Sequence, residues 1–504
     1  MEIFQEQSML AEMLQTRTLL FLLLLVSSNW AYKIIYNLYF HPLCKIPGPR
    51  FAAISNVPYC WWFLKGRQPY KMLELHNKYG MLSPSSAQSW KDIYGVRPGH
   101  RTFIKGDFYS GGSFASIGTT SIISERKPEV HKQMRTYLAG AFSDRSIFEQ
   151  EKIVTASVDK FIRLIGVKGS KMEGFDMSAT LQSMTFDITG DLSFGKAFGA
   201  LDREQPHPWI SVSLNALMRG EIVDSLNRFP NLAKLLPVFI GSKLKELTKD
   251  TQNNEELCYK AVKSRIERET ERKDFLTRIL EDREPSVVTD RQIAAHASDL
   301  VIAGSDTTAT NIASIVYYLL QDQSSMSRLT SEVRSAFESY TAITYSSTAS
   351  LPYLRAVILE GLRIYPPVPM GLPRLVPDDG DTVDGIFLPA GVTVSTHPLA
   401  ASLASANFHD PWSFKAERWI QPSEKDNLDC SQPWSLGTRG CIGRNLAWLD
   451  MRTTLAKLVW VYDLEPVKPS LDWHGESRMH TLWRKPALMV RAKNRGVHLD
   501  GHVD

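Results

Sequence analysis

The chain has 504 residues, 43% of them hydrophobic and 22% charged, with a formal net charge of +4. This balance is ordinary for a folded protein and excludes a disordered, collagen-like or fibrous chain. The charge is small for the length and forms no concentrated basic stripe, so nucleic acid is not an expected partner. Five cysteines, Cys44, Cys60, Cys258, Cys430 and Cys441, show no C-x-x-C spacing. An odd, sparse set supports neither a disulfide framework nor a zinc site. All but Cys441 read as indifferent thiols of a reducing compartment.

At the N-terminus, Leu19 to Val26 is an unbroken apolar run, continued more weakly through Trp30, Ile34, Ile35 and Tyr39. A bilayer needs about 20 mostly apolar residues. The run alone is too short, but with its continuation it suffices, although Lys33 lies inside. The acidic leader (Glu2, Glu6, Glu12) and the lack of an A-x-A site argue against a cleaved signal peptide. Tyr36, Tyr39 and Phe40 suit a membrane interface. Residues 1–45 are therefore expected to be a membrane anchor and proline hinge. Pro47-Gly48-Pro49 cannot continue a helix and predicts a stiff bend. No low-complexity linker or repeat follows, so residues 46–504 are expected to form one large catalytic unit.

Apolar positions at three- and four-residue spacing predict helices over 126–142, 253–281, 290–320, 323–339 and 351–364. Short strands are predicted at Gly385–Leu388 and Val392–Thr396, with a Pro-Ala-Gly turn between them. The stretch Arg265–Arg283 carries dense charges of both signs and reads as a solvated helix face. The expected fold class is mostly α with small β-sheets.

The chemistry concentrates in Pro433-Trp434-Ser435-Leu436-Gly437-Thr438-Arg439-Gly440-Cys441-Ile442-Gly443-Arg444. Glycines surround one cysteine, and an amphipathic helix follows (Leu446, Leu449, Leu455, Leu458, Val459). Glycines let backbone approach another group closely. Amide donors and the positive end of the following helix favour a thiolate over a thiol. A thiolate is what a haem iron needs for O–O cleavage. On these residues alone, a nucleophile or a buried core thiol remains open.

The spacing resembles the cytochrome P450 haem-binding signature F-x-x-G-x-R-x-C-x-G, with Trp434 at the first aromatic. The resemblance implies haem b with its iron on the Cys441 thiolate and Arg439 on a propionate. Trp434 is expected to pack near the ligand loop. Ala303-Gly304-Ser305-Asp306-Thr307-Thr308, midway along a long apolar helix, is similar to the family's oxygen-binding kink. There Thr307 can bond the carbonyl four residues back, and Ala303 and Gly304 leave space over the helix. The resemblance makes Asp306 and Thr307 the catalytic pair that feeds protons to oxygen. Glu360-Gly361-Leu362-Arg363 matches E-x-x-R, joined by Arg418, and is expected to be structural. His131 and Arg135 share one helix face; they and Arg374 match propionate-binding positions. The basic stretch Arg126, Lys127, Lys132, Arg135 is suited to an acidic electron donor.

The resemblance runs from the Pro-Gly-Pro hinge to the C-terminal strands. Ala141-Phe142-Ser143-Asp144, Thr185 to Gly195 and Tyr365-Pro366-Pro367-Val368-Pro369 look most like fungal enzymes of the trichothecene-hydroxylase type. It implies the cytochrome P450 fold, a single large helical domain, and an NADPH- and O2-dependent monooxygenase acting on an apolar small molecule in secondary-metabolite biosynthesis. The implied skeleton is a terpenoid, polyketide or alkaloid. NADPH-cytochrome P450 reductase is the expected electron donor. A single-pass anchor in the endoplasmic reticulum membrane leaves the catalytic domain cytosolic. The alternatives are desaturation, ring closure or isomerisation at the same iron, or haem binding without turnover. Substrate contacts are expected from Phe103–Ser124, Ala295–Ala303, Val368–Leu372 and His474–Leu482, including Met370 and Leu372.

One departure stands out. After Lys78-Tyr79-Gly80 the family continues into an apolar strand before a serine-rich turn and a W-K-D-I-Y segment, whereas here Met81-Leu82-Ser83-Pro84 leads almost directly to Ser85-Ser86-Ala87-Gln88-Ser89-Trp90-Lys91-Asp92-Ile93-Tyr94. About eight residues are absent by that resemblance, enough for one strand. Either the sheet is shortened and its edge covered another way, or coding bases were skipped when the gene was read. The second is slightly favoured, because nothing nearby in the sequence is built to compensate.

Overall fold

The computed structural model describes residues 2–80, 85–110, 119–230, 234, 237–268, 272–284 and 287–497. The chain divides into two compact units, Met1–Trp61 and Trp62–Asp504. In the first, a helix over Glu2–Ile35 runs into a π-helical turn at Tyr36–Phe40. Its segment Met13–Phe40 is long and apolar enough to cross a membrane, with mean hydropathy 1.6. His41 is extended (φ −63°, ψ 141°) and ends the helix, just before Pro42.

The second unit is built on the central helix Asp290–Gln321. The Thr289 side chain caps it by accepting the Gln292 N–H at 3.2 Å, which satisfies one of the orphan donors of a first turn. Asp322 ends it and caps the next helix, Gln323–Ala336. The central helix is apolar on nearly all sides and correspondingly buried, as a helix enclosed by others must be. Met177–Phe194 packs along it, and Pro352–Ile364 crosses it through Gly361. A Cβ at Gly361 would overlap the Ile315 side chain, so glycine sets how close these two helices come.

The sheets are small and antiparallel. Strands β1 (Ile104–Lys105), β3 (Arg374–Leu375) and β6 (Thr393–Val394) form one, in the order β1-β3-β6. Strand β2 (Phe175–Asp176) joins β7 (Tyr462–Pro466) through β10 (Met489–Asn494). The remaining pairs are β4 (Asp381–Val383) with β5 (Ile386–Leu388), and β8 (Arg478–His480) with β9 (Leu482–Arg484). The Pro-Ala-Gly turn therefore separates strands of different sheets.

Most predicted helices form, with trimmed ends, but 253–281 does not form as one. The helix Pro237–Ile266 stops, and a new one starts at Phe275–Asp282. The reason lies in the charges that were read as solvated. Arg265 Nε and Nη2 meet the two Asp274 oxygens at 2.8 and 3.0 Å, with the side chains 5% and 0% exposed. Asp274 also accepts the Thr277 N–H at 2.9 Å and so caps the second helix. A buried bidentate pair that doubles as a cap fixes the break.

Residues 81–84, where the family strand is absent, lie outside the described residues. Beside them, the helix Ala87–Tyr94 supplies partners to backbone next to β6. The Tyr94 hydroxyl accepts the Thr396 N–H at 3.2 Å and donates to the Leu372 carbonyl at 2.9 Å.

Glu360 and Arg363 form the expected structural pair. Both are fully buried, with Arg363 Nε and Nη2 each 2.8 Å from a Glu360 oxygen. Arg363 also donates to the Ser402 and Pro411 carbonyls at 2.8 Å. Trp419 Nε1 donates to Glu360 at 3.0 Å, and Arg418 Nε lies 3.4 Å from it. One turn of helix is thereby tied to the segment that leads to Cys441. Glu360→Ala strands a buried guanidinium, at a cost of about 3–5 kcal/mol. The expected outcome is a sharp loss of folded protein and a lower thermal midpoint; a wild-type melting curve would contradict the structural role.

Candidate active site

The Cys441 loop is shaped by backbone. Ser435 and Gly437 hold φ of 57° and 69°, and a Cβ at Gly437 would overlap the Tyr94 carbonyl oxygen. The Cys441 N–H donates to the Trp434 carbonyl at 2.8 Å and the Gly440 N–H to the Gly437 carbonyl at 3.1 Å. Trp434 lies 6.5 Å from Trp448, ring to ring, so it packs against the following helix, Arg444–Val461. The Cys441 residue is exposed, yet burial of its sulfur raises the thiol pKa, opposed by the Gly443 amide, Arg135 and Arg444. The loop supplies thiolate-favouring partners, and a coordinating metal completes deprotonation.

Three arginines gather about His131, beside this loop. Arg135 Nη1 donates to the Gly440 carbonyl at 2.8 Å, holding the loop. Arg439 reaches the Glu125 and Arg126 carbonyls at 2.7 and 2.9 Å. Arg374 is buried, and its Nε has no hydrogen-bond partner among the described residues. Two titratable donors complete the group. Burial, then Arg439, pushes the His131 pKa down to about 3. Burial, then Arg439 and Arg374, pushes Lys105 down to about 6, against the pull of Asp299 and Glu125.

Those two nearby carboxylates are engaged elsewhere. Glu125 accepts from Thr120 and the Lys127 amide, and Asp299 from the Ile123 amide. The two carboxylates only partly offset the arginines over the loop, and burial together with that residual positive field drives two donors toward their neutral forms. A planar group with two carboxylates and a thiolate-binding metal fits this donor set. Haem is such a group. Sequence reading found His131, Arg135, Arg374 and Arg439 but missed Lys105, because a two-residue strand carries no pattern.

The central helix presents two chemistries. Leu300, Ala303, Gly304 and Thr307 are only half-buried in an otherwise buried stretch, at spacings that trace one face. Thr307 Oγ1 donates to the Ala303 carbonyl at 2.5 Å, as anticipated. Gly304 departs from expectation: a Cβ there would sit 3.0 Å from Thr189 Oγ1, so it brings the neighbouring helix close instead of opening space. Asp306 points elsewhere, since successive residues turn by about 100°. Its Oδ1 accepts from Lys485 Nζ at 2.8 Å and Gln182 Nε2 at 2.9 Å. Its Oδ2 is buried and has no partner among the described residues. Asp306, Gln182, Ser178, Asp176, Ser211 and Lys485 line a pocket of about 270 Å³. Gln182 and Lys485 gave no motif in the sequence.

An apolar cluster of Leu217, Ile302 and Leu482, with Leu214 and Val368, joins the central helix to Pro208–Asn227, to β9 and to the segment after Pro367. Ile302, Val368 and Leu482 fall in the expected substrate segments, whereas Leu214 and Leu217 were not anticipated. Met370 and Phe103 are buried in the core. Residues 111–118 of the expected Phe103–Ser124 segment lie outside the described residues.

Comparison with known proteins gives the family. The sequence pattern of the cytochrome P450 family matches residues 100–490. The chain is 45% identical over 440 residues to cytochrome P450 monooxygenase ORF11 of Penicillium roqueforti, covering 86% of this chain and 91% of the relative. It is 42% identical over 476 residues to cytochrome P450 monooxygenase BipB of Cochliobolus sativus, covering 91% and 94%. Cytochrome P450 monooxygenase BOT4 of Botryotinia fuckeliana is 37% identical over 466 residues, covering 90% and 87%. With a signature loop, a fitting cationic surround and relatives matched over nearly their whole length, the chain belongs to the cytochrome P450 family of haem-thiolate monooxygenases.

Proposed function

We propose that this protein inserts one oxygen atom from O2 into an apolar small molecule of fungal secondary metabolism, using electrons from NADPH through a separate reductase. In this reading Cys441 ligates the haem iron, and Arg439, His131, Arg135 and Arg374 hold the propionates, with Lys105 beside them. The observation that carries it is the glycine-shaped cysteine loop beside a cluster of arginines whose charge lowers Lys105 and His131, one of them, Arg374, with an Nε that has no partner among the described residues. Residues 1–45 serve as the anchor and hinge in the endoplasmic reticulum membrane, and 46–504 as the cytosolic catalytic domain. The segment Met13–Phe40, the one among the described residues long and apolar enough to cross a membrane, supports the anchor. Lys127 and Lys132 are exposed beside the Cys441 loop's partner helix and suit an acidic reductase.

When bound, the haem supplies oxygen activation, with one atom going to substrate and the other leaving as water. The chain's own residues handle protons and water. Asp306 stands between the polar pocket and the helix, where it can take a proton from solvent and pass it across the helix. Lys485 holds one of its oxygens, which leaves the other free to exchange. Thr307 sits on the half-buried face, and its hydroxyl, parked on the Ala303 carbonyl, can turn to hand a proton onward. The cluster Leu217, Ile302 and Leu482 excludes water from the reacting side.

Three measurements test this reading. Cys441→Ala should abolish the red-shifted carbon monoxide band of the reduced protein, because only a thiolate donates that electron density; a normal band would end the assignment. Thr307→Ala should keep haem and substrate binding but divert NADPH electrons to peroxide, and unchanged coupling would reduce Thr307 to helix packing. Removing residues 1–40 should release haem-loaded protein from membranes; full retention there would assign attachment to another surface.

A further inference from the structure

The roof of the apolar cluster is not wholly apolar. On the helix Pro208–Asn227, Leu214, Leu217 and Glu221 fall at spacings of three and four and share one face. Glu221 is 1% exposed, and its Oε1 has no hydrogen-bond partner among the described residues. The other oxygen, Oε2, meets His480 Nδ1 at 2.9 Å. Burial pushes the Glu221 pKa up to about 7, against the pull of the His480 ring, and Thr481 follows His480 directly in the chain.

Thr481 is the tip between β8 and β9, where His480 pairs with Leu482. It holds φ 63°, which is rare for a β-branched residue. Its Oγ1 is likewise buried and without a partner among the described residues. Leu482, the next residue, belongs to the apolar cluster. Two buried polar atoms with unmade hydrogen bonds thus flank an apolar surface, and such atoms are costly unless something satisfies them.

We propose that Glu221 and Thr481 form a polar anchor for the substrate, so that the substrate is an apolar skeleton already bearing a hydroxyl. This rests on the monooxygenase reading above. A hydroxyl both donates and accepts, so it can donate to Glu221 Oε1 and accept from the Thr481 O–H. An ammonium group has no acceptor to offer Thr481, and a carboxylate would face Glu221 directly. His480 holds the second Glu221 oxygen and thereby aims the first. The reaction that supplies this substrate must then leave a hydroxyl on the skeleton, as a prior oxygenation or a water-quenched cyclisation does.

The test uses full-length, haem-loaded protein and two pairs of matched probes, decalin with 2-decalol and dodecane with 1-dodecanol. Dissociation constants are read from the ligand-induced shift of the haem absorption band. Hydrophobic transfer alone favours each hydrocarbon. The anchor should reverse this, so that at least one alcohol binds about tenfold or more tighter than its hydrocarbon. Glu221→Met and Thr481→Val should each bring that ratio toward one, through weaker binding of the alcohol. Should either variant lose its haem, the other decides. A wild-type protein that binds no alcohol, or shows no preference, overturns the anchor, as does a preference that survives the substitutions. A missing carbon monoxide band in the wild type would instead overturn the monooxygenase reading.

Discussion

Three arginines held together about His131, next to the Cys441 loop, are the constraint on which the rest of this structure turns. Like charges repel, and burial multiplies the cost because each pKa unit corresponds to about 1.4 kcal/mol. Here Arg374, Arg439 and Arg135 converge while the nearest carboxylates, Glu125 and Asp299, are engaged by other donors. Lys105 and His131 answer by shifting toward neutrality. Such a site is costly on its own and favourable around a dianion, so the fold and its haem are energetically coupled. The buried Glu360–Arg363 pair keeps the loop registered against the helical core, and Gly437 lets it lie against the Tyr94 carbonyl.

The second organising element is a helix with two unlike faces. Thr307 and Asp306 are neighbours in sequence but look into different surroundings, one toward the half-buried face and the other toward a polar pocket. A single turn of the helix therefore lies between the polar pocket and the half-buried face. Lys485 arrives from the C-terminal segment and fixes one oxygen of Asp306. The acid is thus held by a residue 179 positions away along the chain.

Local patterns were legible in the sequence where one element carries the whole signal. The central helix, the helix Pro352–Ile364 and the Cys441 loop each follow from periodicity, prolines or glycines within a short window. Arg265 and Asp274 were misread as solvated because charge density reports composition and not pairing; only the fold shows that they bury one another. Lys105, Gln182, Lys485 and Leu217 were invisible for a related reason. Each works through partners more than a hundred residues away or from an element too short to show a period. The Tyr94 hydroxyl that serves Thr396 belongs with them.

The account's central claim is that the cationic surround, together with Cys441, holds haem through its two carboxylates. Haem loss to excess apomyoglobin measures this directly. The rate is compared between the wild type and the Arg374→Met/Arg439→Met double variant. The account predicts loss faster by roughly tenfold or more, because charge-assisted hydrogen bonds to two carboxylates are removed, with the thiolate band intact until the haem departs. An unchanged rate of loss would contradict it.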